Sequence, residues 1–193
     1  MARHRREYPV SRSQFAALQT DAKELLLTSR VAGVPAGTSY LLRAFAIRTC
    51  ARAKGCSVLL LQRSEVYQRH VAGPAGLMAM LWEMQAHGFA EVAQDEIRFA
   101  NGSTLQWASC ARDSDLQRLM EQRVDVLLID EAEDVPEAHF ARLRDAVMSS
   151  THPERRIVAA ARSAATATWV GKHWGLNGPT GRRGMAVEPA GVD

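Results

Sequence analysis

One stretch constrains the fold more than any other. Val124–Asp134 reads VDVLLIDEAED, a short run of valine, leucine and isoleucine that ends in two acids, Asp130 and Glu131. A run of this length, made mostly of β-branched residues and leucine, charged at its end and followed by a helical pattern, predicts a buried parallel strand. Two carboxylates at the carboxyl end of such a strand lose hydration unless a cation meets them, and open α/β sheets take their ligands at that end. Two readings follow. Either Asp130 holds a Mg²⁺ ion, directly or through water, while Glu131 polarises an attacking water, or the strand simply ends on acids with no ligand.

The segment upstream bears on that choice. Glu24–Thr28 (ELLLT) predicts a strand, residues 29–39 a loop rich in glycine and small residues, and Tyr40–Ala53 a helix ending at Lys54-Gly55. Leu41, Leu42, Phe45, Ala46 and Cys50 share one side of that helix, with Arg43, Arg48 and Arg52 elsewhere. Strand, glycine loop and helix form the context of a phosphate-binding P-loop, G-x-x-x-x-G-K-[ST]. The matching window is Ala32-Gly33-Val34-Pro35-Ala36-Gly37-Thr38-Ser39. Gly37 and the Ser39 hydroxyl stand where the pattern wants them, so the backbone of Gly33–Ser39 would face phosphate oxygens and Ser39 could ligate Mg²⁺. The first glycine is Ala32, and the lysine that neutralises the β- and γ-phosphates is Thr38, a hydroxyl without charge. Arg30 is the nearest cation upstream. It could swing over the phosphates, act as an arginine finger or pair elsewhere. Without the lysine, a glycine-rich helix start that binds no nucleotide remains the alternative.

The rest of the chain supplies a frame for these two motifs. Cys56–Leu61 and Arg155–Ala161 predict further strands. Residues 65–87 predict two helices broken at Gly73-Pro74, with Met78, Met80, Leu81 and Met84 as core filling. Glu91–Phe99 and Thr104–Ser109 flank Asn101-Gly102, a strong hairpin signal. Ser11–Lys23 predicts a helix with Phe15, Leu18 and Ala22 on one face; Asp113–Gln122 predicts a short polar helix. A helix starting at Pro136 turns Phe140, Leu143 and Val147 inward, and Thr168–Trp174 is a short amphipathic piece. Alternating strands and helices imply right-handed crossovers, a mainly parallel sheet flanked by helices and a β-hairpin addition. The domain so defined covers residues 11–175. Residues 1–10 predict a mobile basic arm, and residues 176–193, rich in Gly and Pro, predict a disordered tail.

The totals exclude little but are consistent with this frame. At 193 residues and 47% hydrophobic content, one domain with a sizeable core is expected. No run is long enough to cross a membrane, and the basic start lacks the apolar segment of a secretory signal. Three cysteines, odd in number and without metal-ligand spacing, fit a reducing, cytoplasmic setting. A net charge of +3, scattered over the chain, permits nucleic-acid contact without requiring it. The histidines at 70, 87, 139, 152 and 173 read as isolated surface or helix-end residues.

These motifs, taken in order, resemble the ATPase domain of the large terminase subunit of tailed bacteriophages, a P-loop NTPase of the RecA/ASCE-like class. The resemblance runs from about Tyr8 to Trp174. Tyr8-Pro9 with Gln14 is similar to the adenine-recognition segment, and SRVAGVPAGTSYLL to the family's deviant P-loops, some of which carry a basic residue where Arg30 stands. VLLLQRS is similar to the next strand and its arginine, IRFANGSTLQW to the family's hairpin, VDVLLIDEAEDVPEAHFARLR to the acidic strand and following helix. In RRIVAAARSAATATWVGKHW the coupling motif is replaced by Ala160-Ala161-Arg162-Ser163-Ala164-Ala165. The resemblance implies ATP and Mg²⁺ as cofactors, Glu131 and Arg30 as catalytic residues, Gln14 and the Gly33–Ser39 loop as nucleotide contacts, and Asp130 with Ser39 as metal ligands. It implies double-stranded DNA, a small terminase subunit and a portal as partners, and a homo-oligomeric ring when active, in a bacterial host cell. It also implies a C-terminal nuclease domain, which this sequence is too short to include. Two other functions remain: a degenerate prophage remnant that binds nucleotide without hydrolysing it, and a non-enzymatic fragment that binds DNA or the portal.

Overall fold

The strands form where apolar residues run without interruption, and their parallel pairing hides both faces. In the computed structural model, which describes residues 11–29, 37–62, 76–93, 96–110, 112–161, 168–174 and 183–187, these runs become β1 (Glu24–Ser29), β2 (Ser57–Leu61), β3 (Ala90–Val92), β4 (Glu96–Phe99), β5 (Thr104–Ala108), β6 (Val126–Ile129), β7 (Arg156–Ala161) and β8 (Arg183–Val187). They make one eight-stranded sheet in the order β3-β4-β5-β2-β6-β7-β1-β8. From β5 to β8 every pairing is parallel, and β3 and β4 add on antiparallel at the β5 edge. The expected mainly parallel α/β sheet with a hairpin addition is what the chain forms.

Alternate side chains of each strand enter opposite cores. Val58 and Leu60 of β2, Val126 and Leu128 of β6 and Val158 and Ala160 of β7 pack on one side. That side is covered by α1 (Arg12–Gln19), α2 (Thr38–Arg52) and α3 (Leu77–Ala86). Leu59, Leu61, Leu127, Ile129, Ile157 and Ala159 face the other side, beneath α4 (Asp113–Met120), α5 (Glu137–Ser149) and α6 (Trp169–Trp174). The result is a three-layer α/β/α arrangement.

Several local readings are corrected. The α1 face is set by the buried Gln14 and Ala17, because Gln14 closes a capping box with Ser11, while Phe15 is 55% exposed. The run Glu91–Phe99 is two antiparallel strands, β3 and β4, rather than one. The tail expected to lack structure contains β8: the outer edge of β1 offers unpaired N–H and C=O groups, and Arg183–Val187 pairs with it in parallel. The basic arm, the first of the two helices expected over residues 65–87 and the segment 162–167 lie outside the described residues, while the second of those helices is α3.

The hairpin tip has a specific task. Asn101 Nδ2 donates to the Cys50 carbonyl at 2.8 Å, and Ser103 Oγ donates to the Ala53 carbonyl while accepting the Cys56 N–H at 3.1 Å. These are carbonyls that the C-terminus of α2 leaves without helical partners. Asn101 and Ser103 of the Asn-Gly-Ser turn are thus a cap for the helix that leads from the glycine loop.

Candidate nucleotide site at the carboxyl edge of the sheet

Strand order brings the two sequence motifs together. β1, which feeds the glycine loop, and β6, which ends in the acids, are separated by β7 alone. The register Leu27↔Ala160, Ala159↔Ile129 and Ile129↔Leu61 aligns the carboxyl ends of β1, β7, β6 and β2 along one edge. Helix α2 starts there, at Gly37, whose φ of 67° is left-handed, and Ser39 lies in its first turn. Ser39 Oγ donates to Asp130 Oδ1 at 2.9 Å, closing a sequence separation of 91 residues. Asp130 is buried, at 5% exposure. Gln14 also comes to this edge: a Cβ built on Gly37 would meet Gln14 Nε2 at 3.0 Å, while Gln14 Oε1 accepts the Ser11 N–H at 3.0 Å. Arg30, Gly33, Val34, Pro35 and Ala36 lie outside the described residues.

Glu131 follows Asp130 in an unusual backbone state. Its φ of 53° makes it the one non-glycine residue with positive φ among the described residues. Such a conformation costs an L-residue about 1–2 kcal/mol, and where it persists it tends to aim a functional side chain. The turn is held from below. It opens the short 3₁₀ helix Ala132–Asp134, and Trp169 Nε1 of α6 donates to the Val135 carbonyl at 3.1 Å. Trp169 and Trp174 pack on Phe140 of α5, with ring centroids 4.8 and 5.4 Å away. Glu131, Asp130, Asp134 and Gln62 line a cleft of about 30 Å³, room enough for one water.

Gln62 was not foreseen. It follows β2, and its neighbour Leu61 accepts the Asp130 N–H at 2.9 Å, so Gln62 stands beside the acids. A polar residue ending an apolar strand was the available signal. Arg43 was placed away from the buried side of its helix; the structure corrects this. It is only 4% exposed. Burial pushes its pKa below that of an ordinary guanidinium, against the opposing pull of the Asp130 and Tyr40 side chains. Among the described residues, its Nε and Nη1 meet no hydrogen-bond partner.

Two histidines are not the isolated residues that the sequence suggests. His139 is buried, with Nδ1 donating to the Cys110 carbonyl at 3.0 Å and Nε2 to Asp113 at 2.7 Å. The Cys110 carbonyl, against the opposing effect of burial, and then Asp113 raise its pKa. His173 Nε2 binds Glu24 at 2.8 Å, and Arg144 binds the same carboxylate at 2.8 Å, so Arg144 is committed within the domain. At the opposite, amino edge, ligand atoms of Cys56, Asp125 and His152 lie within 4.8 Å of one another. Asp125 and His152 are already engaged within the chain. Asp125 accepts from the Ser57 N–H, Arg123 and Ser150, while His152 accepts the Glu154 N–H and meets the Lys54 carbonyl. Burial, then Asp125 and Glu154, push the Cys56 thiol up to about 12. These hydrogen bonds tie the turn before β2 to the start of β6 and the segment before β7.

The fold and the site geometry can be set beside known proteins. No protein-family model matches the chain, and no curated protein sequence matches it. Among solved structures, the N-terminal domain of the DNA packaging ATPase from bacteriophage phi29 superposes with a TM-score of 0.59 at 12% identity, over 89% of this chain and 93% of that one. The large terminase ATPase domain of Thermus phage P74-26 gives a TM-score of 0.57 at 15% identity, over 81% and 66%. The fold is that of a terminase ATPase domain. A large terminase from a thermophilic bacteriophage, solved in complex with ATP-γ-S, gives 0.61 at 9% identity, over 93% of this chain and 45% of that one. In another crystal form of that terminase the chain spans 39% of the protein. Among the described residues, no helix is long and apolar enough to cross a membrane.

Proposed function

We propose that this chain is a nucleotide-driven motor domain that hydrolyses ATP to move double-stranded viral DNA during packaging. The observation that carries the reading is the Ser39–Asp130 hydrogen bond, which joins the two motifs at the carboxyl edge of a terminase-type sheet. Both side chains present hard oxygen donors, the type Mg²⁺ prefers, so Ser39 and Asp130 would hold the ion. When bound, Mg²⁺ would neutralise charge on the phosphates. The backbone of Gly33–Ser39 would cradle those phosphates, Gln14 would read the adenine, and Arg30 would add positive charge. Glu131, aimed by its left-handed backbone at the water-sized cleft, would orient the attacking water and accept its proton.

Translocation would use contacts to DNA phosphates and so weaken with salt. A ring of copies, a small terminase subunit and a portal belong to the same proposal. The neighbours whose names describe them as DNA-packaging proteins, and the ones solved with ADP or ATP-γ-S, support it. Thr38 in the lysine position favours a second reading, a domain that binds nucleotide without hydrolysing it.

One experiment separates these. Mg-ATP affinity and phosphate release are measured in the same sample for the wild type, Glu131→Gln and Arg30→Ala. The motor reading expects wild-type turnover, with both variants inactive and Glu131→Gln still binding. Binding without turnover, with activity appearing only in Thr38→Lys, selects the second reading. No binding at millimolar Mg-ATP sinks both.

A further inference from the structure

We propose that Arg43 is the phosphate-binding cation of this site, supplying to the terminal phosphates of a bound nucleoside triphosphate the charge that Thr38 lacks. The inference rests on the nucleotide-site reading and adds to it a residue outside the loop motif.

Position comes first. Ser39 and Arg43 are four residues apart on α2, so they share one helix face. Helical side chains tilt toward the N-terminus, which sends the long Arg43 side chain back along α2 toward the turn that holds Ser39. That face is aimed at the end of β6, because Ser39 is hydrogen-bonded to Asp130 there. Arg43 therefore lies on the helix face turned toward the edge where phosphates and a metal would gather.

Its unsatisfied state is the second observation. Arg43 is 4% exposed, yet among the described residues Nε and Nη1 make no hydrogen bond. Arginine is almost never fully buried unless paired, and buried donors without acceptors are costly. Such donors call for a partner that the described residues do not supply, and a bound anion is one. The chemistry of the ligand follows from the donor. A guanidinium donates charge-assisted hydrogen bonds to phosphate oxygens, and each of the two orphaned nitrogens can give one. Thr38, at the place where a P-loop carries its charged side chain, offers only a hydroxyl. A fixed arginine approaching from within the helix would restore the missing charge from another direction.

A purely structural role makes opposite predictions. An arginine kept only to balance Asp130 would stabilise the folded chain and have no bearing on nucleotide. The test titrates a fluorescent, non-hydrolysable ATP analogue with Mg²⁺ into the wild type, Arg43→Met, Arg43→Lys, Arg43→Gln and the double variant Arg43→Met/Thr38→Lys. Each is also melted without nucleotide. The expected result is that Arg43→Met binds roughly ten- to a hundredfold more weakly, as the loss of a charged hydrogen-bonding group implies. Arg43→Lys should retain part of the affinity, Arg43→Gln should resemble Met, and adding Thr38→Lys should restore binding. Without nucleotide, Arg43→Met should melt no lower than the wild type. Arg43→Met that binds like the wild type overturns the inference and leaves the nucleotide site standing. So does a Gln variant that binds as tightly as the Lys variant, which also decides the matter if the Met variant does not fold. A wild type that binds no analogue removes the nucleotide-site reading itself.

Discussion

Replacing Glu131 by glycine should make the protein more stable while removing the carboxylate proposed to orient water. At φ 53° an L-residue bears a penalty of about 1–2 kcal/mol. Glycine relieves it but gives up about 0.5–1 kcal/mol of unfolded-state entropy. The net gain is therefore about 0.5–1 kcal/mol. Glutamine is the control, because it loses the same charge but keeps the same backbone strain, so the difference between the two variants isolates the strain. For a chain of this size that difference corresponds to a melting-temperature gap of about 1–4 °C. Urea and thermal unfolding of Glu131→Gly and Glu131→Gln, followed by circular dichroism, measure it directly. A glycine variant less stable than the glutamine variant would refute the reasoning, since the left-handed backbone would then carry no penalty.

Three further outcomes follow from contacts already described. Asp125→Ala should destabilise by about 2 kcal/mol in denaturant titration, because it strands the Ser57 N–H and the Ser150 hydroxyl beside a fully buried position, while the exposed Arg123 returns to water. Gly37→Ala should lose about 1–2 kcal/mol, since its φ of 67° disfavours a side chain and the new Cβ would meet Gln14 Nε2 at 3.0 Å; a neutral result in the same titration would mean that Gln14 yields. Glu24 gives a pH signature. Burial pushes its carboxyl up, but hydrogen bonds from His173 and Arg144 outweigh this and hold it at about 2, below the ordinary 4.5. Because the folded value is the lower one, the stabilisation is present above pH 4.5 and disappears as pH falls from 4.5 toward 2. Discounted for the partly exposed Arg144, it amounts to about 2 kcal/mol. Glu24→Gln should flatten the stability profile over that interval, and an unchanged slope would exclude Glu24 as its source.

What could be read in the sequence was local. Val126–Ile129 is apolar on every residue and ends in charge, so β6 and its acids were visible without any partner. The glycine loop and α2 followed from turn chemistry and periodicity. What could not be read depended on distant parts of the chain. Arg43 looks like a surface residue by its polarity, and only the packing of α2 over β6 buries it. Arg183–Val187 sits in a Gly- and Pro-rich stretch that gives no strand signal, and its order comes from the vacant edge of β1. Phe15 and Ala17 are both apolar; the capping box between Ser11 and Gln14 decides which of them turns inward. His173 and Arg144 acquire their roles from Glu24, 149 and 120 residues away.

The cap that the hairpin places on α2 has a mechanical consequence. Over its 15 residues α2 is about 22 Å long, fastened to the acidic strand at one end through Ser39 and to the hairpin at the other through Asn101 and Ser103. A rod pinned at both ends cannot slide along its axis without breaking one of the pins. A tilt about the hairpin tip, by contrast, would leave the Asn101 and Ser103 contacts in place while moving the Ser39 end over the acidic strand.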